Sequence, residues 1–431
     1  MKRNYFNIIL AIMSFFVPLL FLPQFLGHYN LPKFYMLIAC AIMLLIGLIK
    51  NYKALKTDLI NYTAILYLFL TILSTVFAIM PNLALTGSEL RYDGLISFIS
   101  YILIFLSAKE FLVYDKFFIK ILKIMSLITS TIAILQYFII LPDFKDFIPL
   151  INNGSCGANG TFGNPNFFGS FISMFSVIAF AIFMLKGGKS NFIVASISAF
   201  ALIVCSTRSA WLAVGICCLL GLIFIIKEKN AVYWKRIAII AVTGIILFGA
   251  SFSTGSGFLS GKINIIVKDI TNISNEGVTK NTGSDRLFIW STCLSVIKVY
   301  PVFGCGFDNL HLGLMKADRT NFDLFIENTG TYIDKAHNEY LHIACTNGLP
   351  ALALYLSLLA LILVPRFKIM FKNKTYFILC LAAISYLVQA FFNISTIGVT
   401  PLFWLLLGII CNDKFCDDFD KDVISTEKLL E

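Results

Sequence analysis

Residues 210–226 read AWLAVGICCLLGLIFII, an uncharged run bounded by Arg208 on one side and by Lys227 and Glu228 on the other. A helix rises about 1.5 Å per residue, so such a run, completed by its flanks, approaches the roughly 30 Å of a bilayer's hydrocarbon core. Working outward, eleven further runs of the same character lie near residues 5–26, 34–49, 59–80, 94–108, 117–141, 167–185, 192–205, 237–252, 349–364, 376–392 and 397–411. The pattern predicts an all-α polytopic membrane protein with about 12 transmembrane helices in one domain spanning 1–431. Composition agrees: 58% of the 431 residues are hydrophobic and 13% charged, which excludes a soluble globular enzyme. The 42 Phe, 17 Tyr and 4 Trp exclude a disordered chain, because that much apolar surface does not stay in water. Lys2 and Arg3 before the first run resemble the start of a signal peptide, but no small-residue cleavage site follows. The first run therefore reads as an uncleaved span.

The net charge of +10 raises nucleic acid as a partner, and the position of the charges removes it. With the N-terminus inside, 20 of the 34 basic residues fall in cytoplasmic segments, including loops 50–58, 227–236 and 366–374 and the tail 412–431. The short outer loops hold only Lys33, Arg91, Lys145 and Arg208, the asymmetry that insertion into a membrane imposes. Both termini are thus expected on the cytoplasmic face of the plasma (inner) membrane. Residues 254–346, between the ninth and tenth runs, form one long outer segment with 8 basic and 9 acidic side chains. Its Leu287, Phe288, Trp290 and Phe307 argue for an ordered cap rather than a solvated loop. Within it, Ser284 is expected to cap a helix with Leu287, Trp290, Leu294 and Ile297 on one face, ended by Pro301 and carrying Arg286 in its first turn. A second helix is expected from near Asp334 to Gly348, with His337, Tyr340, Leu341 and Ala344 sharing a face and Pro350 opening the next span. Most cysteines sit in apolar runs; Cys156, Cys293, Cys305 and Cys345 are the outer ones, and spacing does not pair them.

Four outer features carry candidate chemistry. Arg208 stands between two apolar runs with almost no loop, so it either meets an anion or snorkels to the head groups. Asp285-Arg286 precedes a Pro301-to-Phe307 turn rich in glycine; alone this is an ordinary solvated charge, and the glycines lack the strand and GK[ST] of a nucleotide loop. His337, between Ala336 and Asn338, is one of 4 histidines, and its near-neutral pKa suits removal of a hydroxyl proton, or it anchors an interfacial helix. Residues 151–169 are rich in Gly and Asn; turn chemistry accounts for most of them, while Asn164 and Asn166 are candidates for sugar hydroxyls.

Taken together, these features resemble the O-antigen ligase and polymerase family of bacterial envelope glycan enzymes. The resemblance rests on the run of spans, Arg91-Tyr92-Asp93-Gly94, Gly163-Asn164-Pro165-Asn166, the Arg208 turn, Arg286 with its Pro and Gly turn, and above all Ala336-His337-Asn338 through Gly348. The chain departs from the family pattern in having Thr346 where a carboxylate is frequent and Ala351 where a glycine is. The resemblance implies transfer of a glycan from undecaprenyl pyrophosphate to an acceptor hydroxyl on a glycan, lipid or protein at the outer face, with inversion and without cofactor or metal. It makes Arg208 and Arg286 the stabilisers of the leaving pyrophosphate and His337 the base, with Asn338, Tyr340, Arg91, Asn164 and Asn166 around the substrates. Metal-dependent lipid-linked transferases resemble one another in an acidic pair in the first outer loop, and residues 27–33 hold no carboxylate; Glu89 and Asp93 are the remaining metal candidates. Repeat-unit polymerase and protein O-oligosaccharyltransferase are alternatives within the family. A polysaccharide or lipid flippase is the non-enzyme alternative, although the chain lacks an evident internal repeat or charges marking a central path.

Overall fold

The computed structural model describes residues 4–21, 29–89, 91–139, 158–254, 263–264 and 285–428. Among these, the regular elements are helical and no strand occurs. In chain order they are α1 (Tyr5–Leu19), α2 (Asn30–Lys50), α3 (Leu59–Val76), α4 (Pro81–Thr86), α5 (Leu95–Phe111), α6 (Lys116–Ile139), α7 (Pro165–Lys186), α8 (Lys189–Val204), α9 (Arg208–Glu228), α10 (Ala231–Thr254), α11 (Arg286–Val299), α12 (Leu310–Ala317), α13 (Arg319–Thr329), α14 (Glu339–Asn347), α15 (Leu349–Ile369), α16 (Lys374–Phe392), α17 (Thr400–Ile410) and α18 (Asp413–Lys428). Among the described residues, each of the twelve apolar runs falls mostly on a helix, and eight of those helices are long and apolar enough to cross a membrane. The chain is a multi-pass membrane protein. Length alone does not reach twelve, because α1, α5, α8 and α17 have 15, 17, 16 and 11 residues. Helices dominate because hydrocarbon offers no partner for an open N–H or C=O, so each segment closes its own backbone bonds.

Their starts follow the same logic. Asp58, Asn164, Asn338 and Asn373 each accept a backbone N–H in the first turn, and proline opens α4, α7, α15 and α17, where its missing N–H leaves nothing unsatisfied. Most of α7 and of α16 is buried, and they pack against each other, with α9 against both and α5 against α17. At the edge, α10 exposes Val242, Ile245 and Ile246, a surface suited to lipid. One end of the bundle is tied by Lys109 to Asp58 and Glu110, by Asn412 to the carbonyls of Ala108 and Leu112, and by Asp422 to Lys116 and Lys186. The opposite end carries the candidate site.

Helices α11 to α14 bury a separate apolar cluster that includes Phe288, Val296, Leu314, Phe322 and Ile333. It contains Cys293, Cys305 and Cys345, all free and buried; Cys156 lies outside the described residues. The 301–306 turn is stitched to the end of α14 by Cys305 N–H to Cys345 O, Gly306 N–H to Thr346 O and Leu349 N–H to Pro301 O. Gly348 has φ +89°, and a Cβ there would lie 2.0 Å from the Val302 carbonyl oxygen, so this crossing admits only glycine.

Two helix boundaries differ from the expectation. Ser284 lies outside the described residues, and α11 starts at Arg286 after Asp285, whose φ is 61° and whose side chain makes no cap. The second cap helix starts at Glu339, not near Asp334, because Asn338 takes the Leu341 N–H and the left-handed φ of 49° at His337 cannot continue a helix. His337 therefore does not share a helix face with Tyr340, Leu341 and Ala344.

Candidate active site

Residues far apart in sequence meet at this end through a series of contacts and electrostatic couplings. Thr207, next to Arg208, donates its hydroxyl to the Pro165 carbonyl at 2.9 Å, which seats the Arg208 turn on the start of α7. Two residues further along α7, the Phe167 ring lies 5.4 Å from the Arg91 guanidinium carbon. Arg91 in turn grips Asp334 through Nη2 at 2.7 Å and Nε at 3.3 Å. Asp334 and Arg286 both act on the charge of His337, and Arg208 acts on that of Arg286. Trp290 of α11 donates its Nε1–H to the Ala336 carbonyl at 3.0 Å.

Beneath His337 lies a buried ionic knot. Lys335 Nζ sits 2.5 Å from Asp308 and 3.6 Å from Asp93, and His342 Nε2 is 3.4 Å away. Ser88 N–H donates to Asp308 at 2.7 Å; Tyr101 O–H and Ser395 O–H donate to Asp93. Burial alone would lower the Lys335 pKa, but Asp308 and Asp93 more than offset this and hold it above the ordinary lysine value. Burial likewise opposes ionisation of Asp308, and Lys335 pulls its carboxyl below the usual range. Glu339 is buried between the hydroxyls of Tyr355 and Tyr386, each 3.0 Å from one carboxylate oxygen, and burial pushes its pKa up to about 7.

Backbone strain gathers here too. Of six non-glycine residues with positive φ among those described, Tyr92, Ser206, Asp285, Asp308 and His337 belong to the site loops, and Lys229 ends a helix elsewhere. Such conformations cost about 1–3 kcal/mol each and persist where surrounding structure enforces them, often at functional sites.

Arg208 and Arg286 are the first residues of α9 and α11. A helix start presents unpaired N–H groups and the positive end of the helix dipole, so two guanidiniums at two such starts make a strongly anion-attracting corner. Burial, and to a smaller extent the charge of Arg208, push the Arg286 pKa down, as expected of a partly buried cation that feels a second one. Residues 193–356, the segment that contains both arginines and His337, match the family model for O-antigen ligase. This part of the chain is similar to O-antigen ligases. No curated protein matches the chain. Arg91, Asn164 and Asn166 lie outside the matched segment, and the Phe167–Arg91 and Thr207–Pro165 contacts help to join them to it.

The remaining expected binding residues of this O-antigen ligase-like chain are engaged within the protein. Asn164 caps α7 by accepting the Asn166 N–H at 2.8 Å, and the Asn166 carbonyl accepts from Asn393 at 2.7 Å. Asn338 is the N-cap of α14, and Tyr340 donates its hydroxyl to the Leu387 carbonyl at 3.0 Å. Asp93, a metal candidate by sequence, faces Lys335 instead. Among the described residues no three His, Cys, Asp or Glu side chains gather as a metal set. Asp308, Lys335 and Ser395 did not stand out in the sequence. For Lys335 a signal existed, since Asp334-Lys335 directly precedes Ala336-His337.

Burial lowers the pKa of His337 to about 4; Asp334 pulls it up, and Arg286, Arg91 and Lys335 press it down. The imidazole is thus neutral, and able to accept a proton, well below the ordinary histidine range. If it is the base, activity needs its neutral form and falls as pH drops through its folded pKa. The acid limb of kcat/KM, which reports the free enzyme, is then expected near pH 4. An acid limb that stays in place in the residual activity of His337→Gln would show that this histidine is not the group titrating.

Proposed function

We propose that the chain is an integral-membrane glycosyltransferase of O-antigen ligase type. It moves a glycan from undecaprenyl pyrophosphate to an acceptor hydroxyl at the outer face, without metal and with inversion. The acceptor oxygen bonds to the anomeric carbon as the bond from that carbon to the pyrophosphate oxygen breaks. The electron pair leaves on the pyrophosphate, beside Arg208 and Arg286, and the acceptor proton passes to His337. Guanidiniums fixed in a poorly hydrated corner stabilise the developing charge without reorganising. The observation that carries this reading is the series of contacts and couplings linking the Arg208 turn, Arg91, Asp334, Arg286 and His337 at one end of the bundle. In this reading the twelve apolar helices all cross the membrane, both termini are cytoplasmic and residues 254–346 form the outer cap.

Purified protein in detergent, given a lipid-linked glycan and an acceptor, is expected to release undecaprenyl pyrophosphate and to keep doing so with a chelator present. A flippase needs two leaflets and releases nothing in that assay. Loss of activity on chelation, restored by a divalent ion, would overturn the metal-free reading.

A further inference from the structure

At the tied end of the bundle, opposite the candidate active site, a cavity of about 230 Å³ runs between α6, α7 and α8 on one side and α16 and α17 on the other, with α18 across it. Its walls are almost wholly apolar. Met174, Leu405 and Leu406 line it and are buried, and Ile182 stands half-buried on its flank. From α18 come Phe415 and Phe419, both buried, and then Asp422. Apart from Ser126, the polar lining consists of Lys123, Lys186, Asn191 and that Asp422, one from each of four helices. They form one patch. Lys186 Nζ lies 2.6 Å from Asp422, Lys123 Nζ lies 3.2 Å from the Asn191 amide oxygen, and the charges of the two lysines act on each other. Among the lining residues two ammoniums thus meet one carboxylate, which Lys116 also engages at 2.8 Å. The polar end of the cavity is net positive.

An apolar cavity left empty forfeits the dispersion contacts of its lining, and water does not enter to restore them. Hydrocarbon does restore them, and a hydrocarbon chain tied to an anion satisfies the lysines as well, as in other basic pockets between helices that take lipid head groups. We propose that this cavity holds an acyl chain of an anionic phospholipid, with its phosphate beside Lys123 and Lys186. At about 230 Å³ it is smaller than the usual site for a drug-sized molecule, and a single flexible chain suits it better. In the topology proposed above, the lipid belongs to the cytoplasmic leaflet. Bound there, it adds a tie between α18 and the ends of α6 and α7. The polyprenyl chain of a glycan donor fits less well, because the transferase reading puts its pyrophosphate at the opposite end, beside Arg208 and Arg286. No residue of that reading lines the cavity, so the two proposals stand or fall separately.

The test uses the full chain in phosphatidylcholine vesicles doped with a phosphatidylglycerol whose acyl chain carries a photoactivatable diazirine. Irradiation followed by peptide mass spectrometry is expected to label α17 at Leu405 or Leu406, buried residues that lipid on the outside of the bundle does not reach. Labelling there falls about fivefold in Lys123→Ala, the scale of one lysine–headgroup attraction. It drops to background in Ile182→Trp, whose indole takes up the space. Lys123 donates to the neutral Ser190 and Asn191 side chains, so its removal strands no buried charge. Lys120→Ala, at an exposed position of α6 outside the cavity lining, keeps wild-type labelling. Thermal unfolding in detergent is the folding control for all three variants. The proposal is overturned if label reaches the exposed face of α10 and not α17, or if a phosphatidylcholine probe labels α17 equally well. It is also overturned if Lys123→Ala labels as the wild type does, if Lys120→Ala weakens labelling as much, or if undecaprenyl phosphate displaces the phosphatidylglycerol from α17.

Discussion

Protein carrying His337→Ala is expected to insert and fold as the wild type does and to lose glycan transfer by about 10²–10⁴, the range associated with removing a positioned general base. Arg208→Ala and Arg286→Ala are each expected to cost about 10²–10³ through the charge left unstabilised on the leaving pyrophosphate. The three losses should not add, because base and charge stabilisers act on one transition state. Replacing Arg286 by Lys should restore little, since a compact ammonium does not reproduce a planar fork that meets two phosphate oxygens at once. Turnover of lipid-linked glycan by each purified variant, with thermal unfolding as the folding control, makes the comparison. Wild-type turnover in any one of the three removes that residue from the site. Wild-type turnover in His337→Ala would in addition return the residue to the anchoring role that sequence leaves open for it.

The membrane architecture was legible because the chemistry that specifies it is local. A long apolar run between charged flanks means the same thing wherever it occurs, and the described residues of each run lie mostly on a helix. Where a helix begins was less legible. Asn338 has the side chain of an N-cap, but choosing it over Asp334 needs the left-handed turn at His337, which no spacing rule reveals. The candidate site divides along the same line. His337, Arg208 and Arg286 stand out as ionisable groups beside apolar runs, a property of sequence neighbours. That Arg91 pairs with Asp334, 243 positions later, is a property of packing alone. Asn164 has the residue type expected of a sugar-binding amide and the position of a cap, and it accepts a backbone N–H in the first turn of α7. An amide just before a proline that opens a helix is more economically read as a cap.

Lys335→Met is expected to loosen the cap by about 3–5 kcal/mol, the cost of removing one partner from a buried ionic cluster. The loss comes less from a missing attraction than from what stays behind. Asp308 and Asp93 would keep buried carboxylates with the ammonium gone, and the hydroxyls and the Ser88 N–H that remain cannot balance their charge. Arg319→Met supplies the contrast: its pair with Asp323 is largely exposed, and such pairs contribute about 0–1 kcal/mol. Cys345 offers a direct readout, being free and buried in the cap core. Its labelling by a thiol reagent, followed by mass spectrometry of its peptide, is expected to accelerate roughly a hundredfold or more in Lys335→Met and hardly at all in Arg319→Met. Unchanged labelling in Lys335→Met would mean that Asp308 sits there protonated, against the direction in which Lys335 shifts it. The same variant also separates position from chemistry at the site. Lys335 lies two residues before His337 and pins the loop that holds the imidazole in its left-handed turn, so transfer should fall with the cap's rigidity. The double variant Lys335→Met with Asp308→Asn removes one of the stranded charges, and it should recover part of the cap's stability.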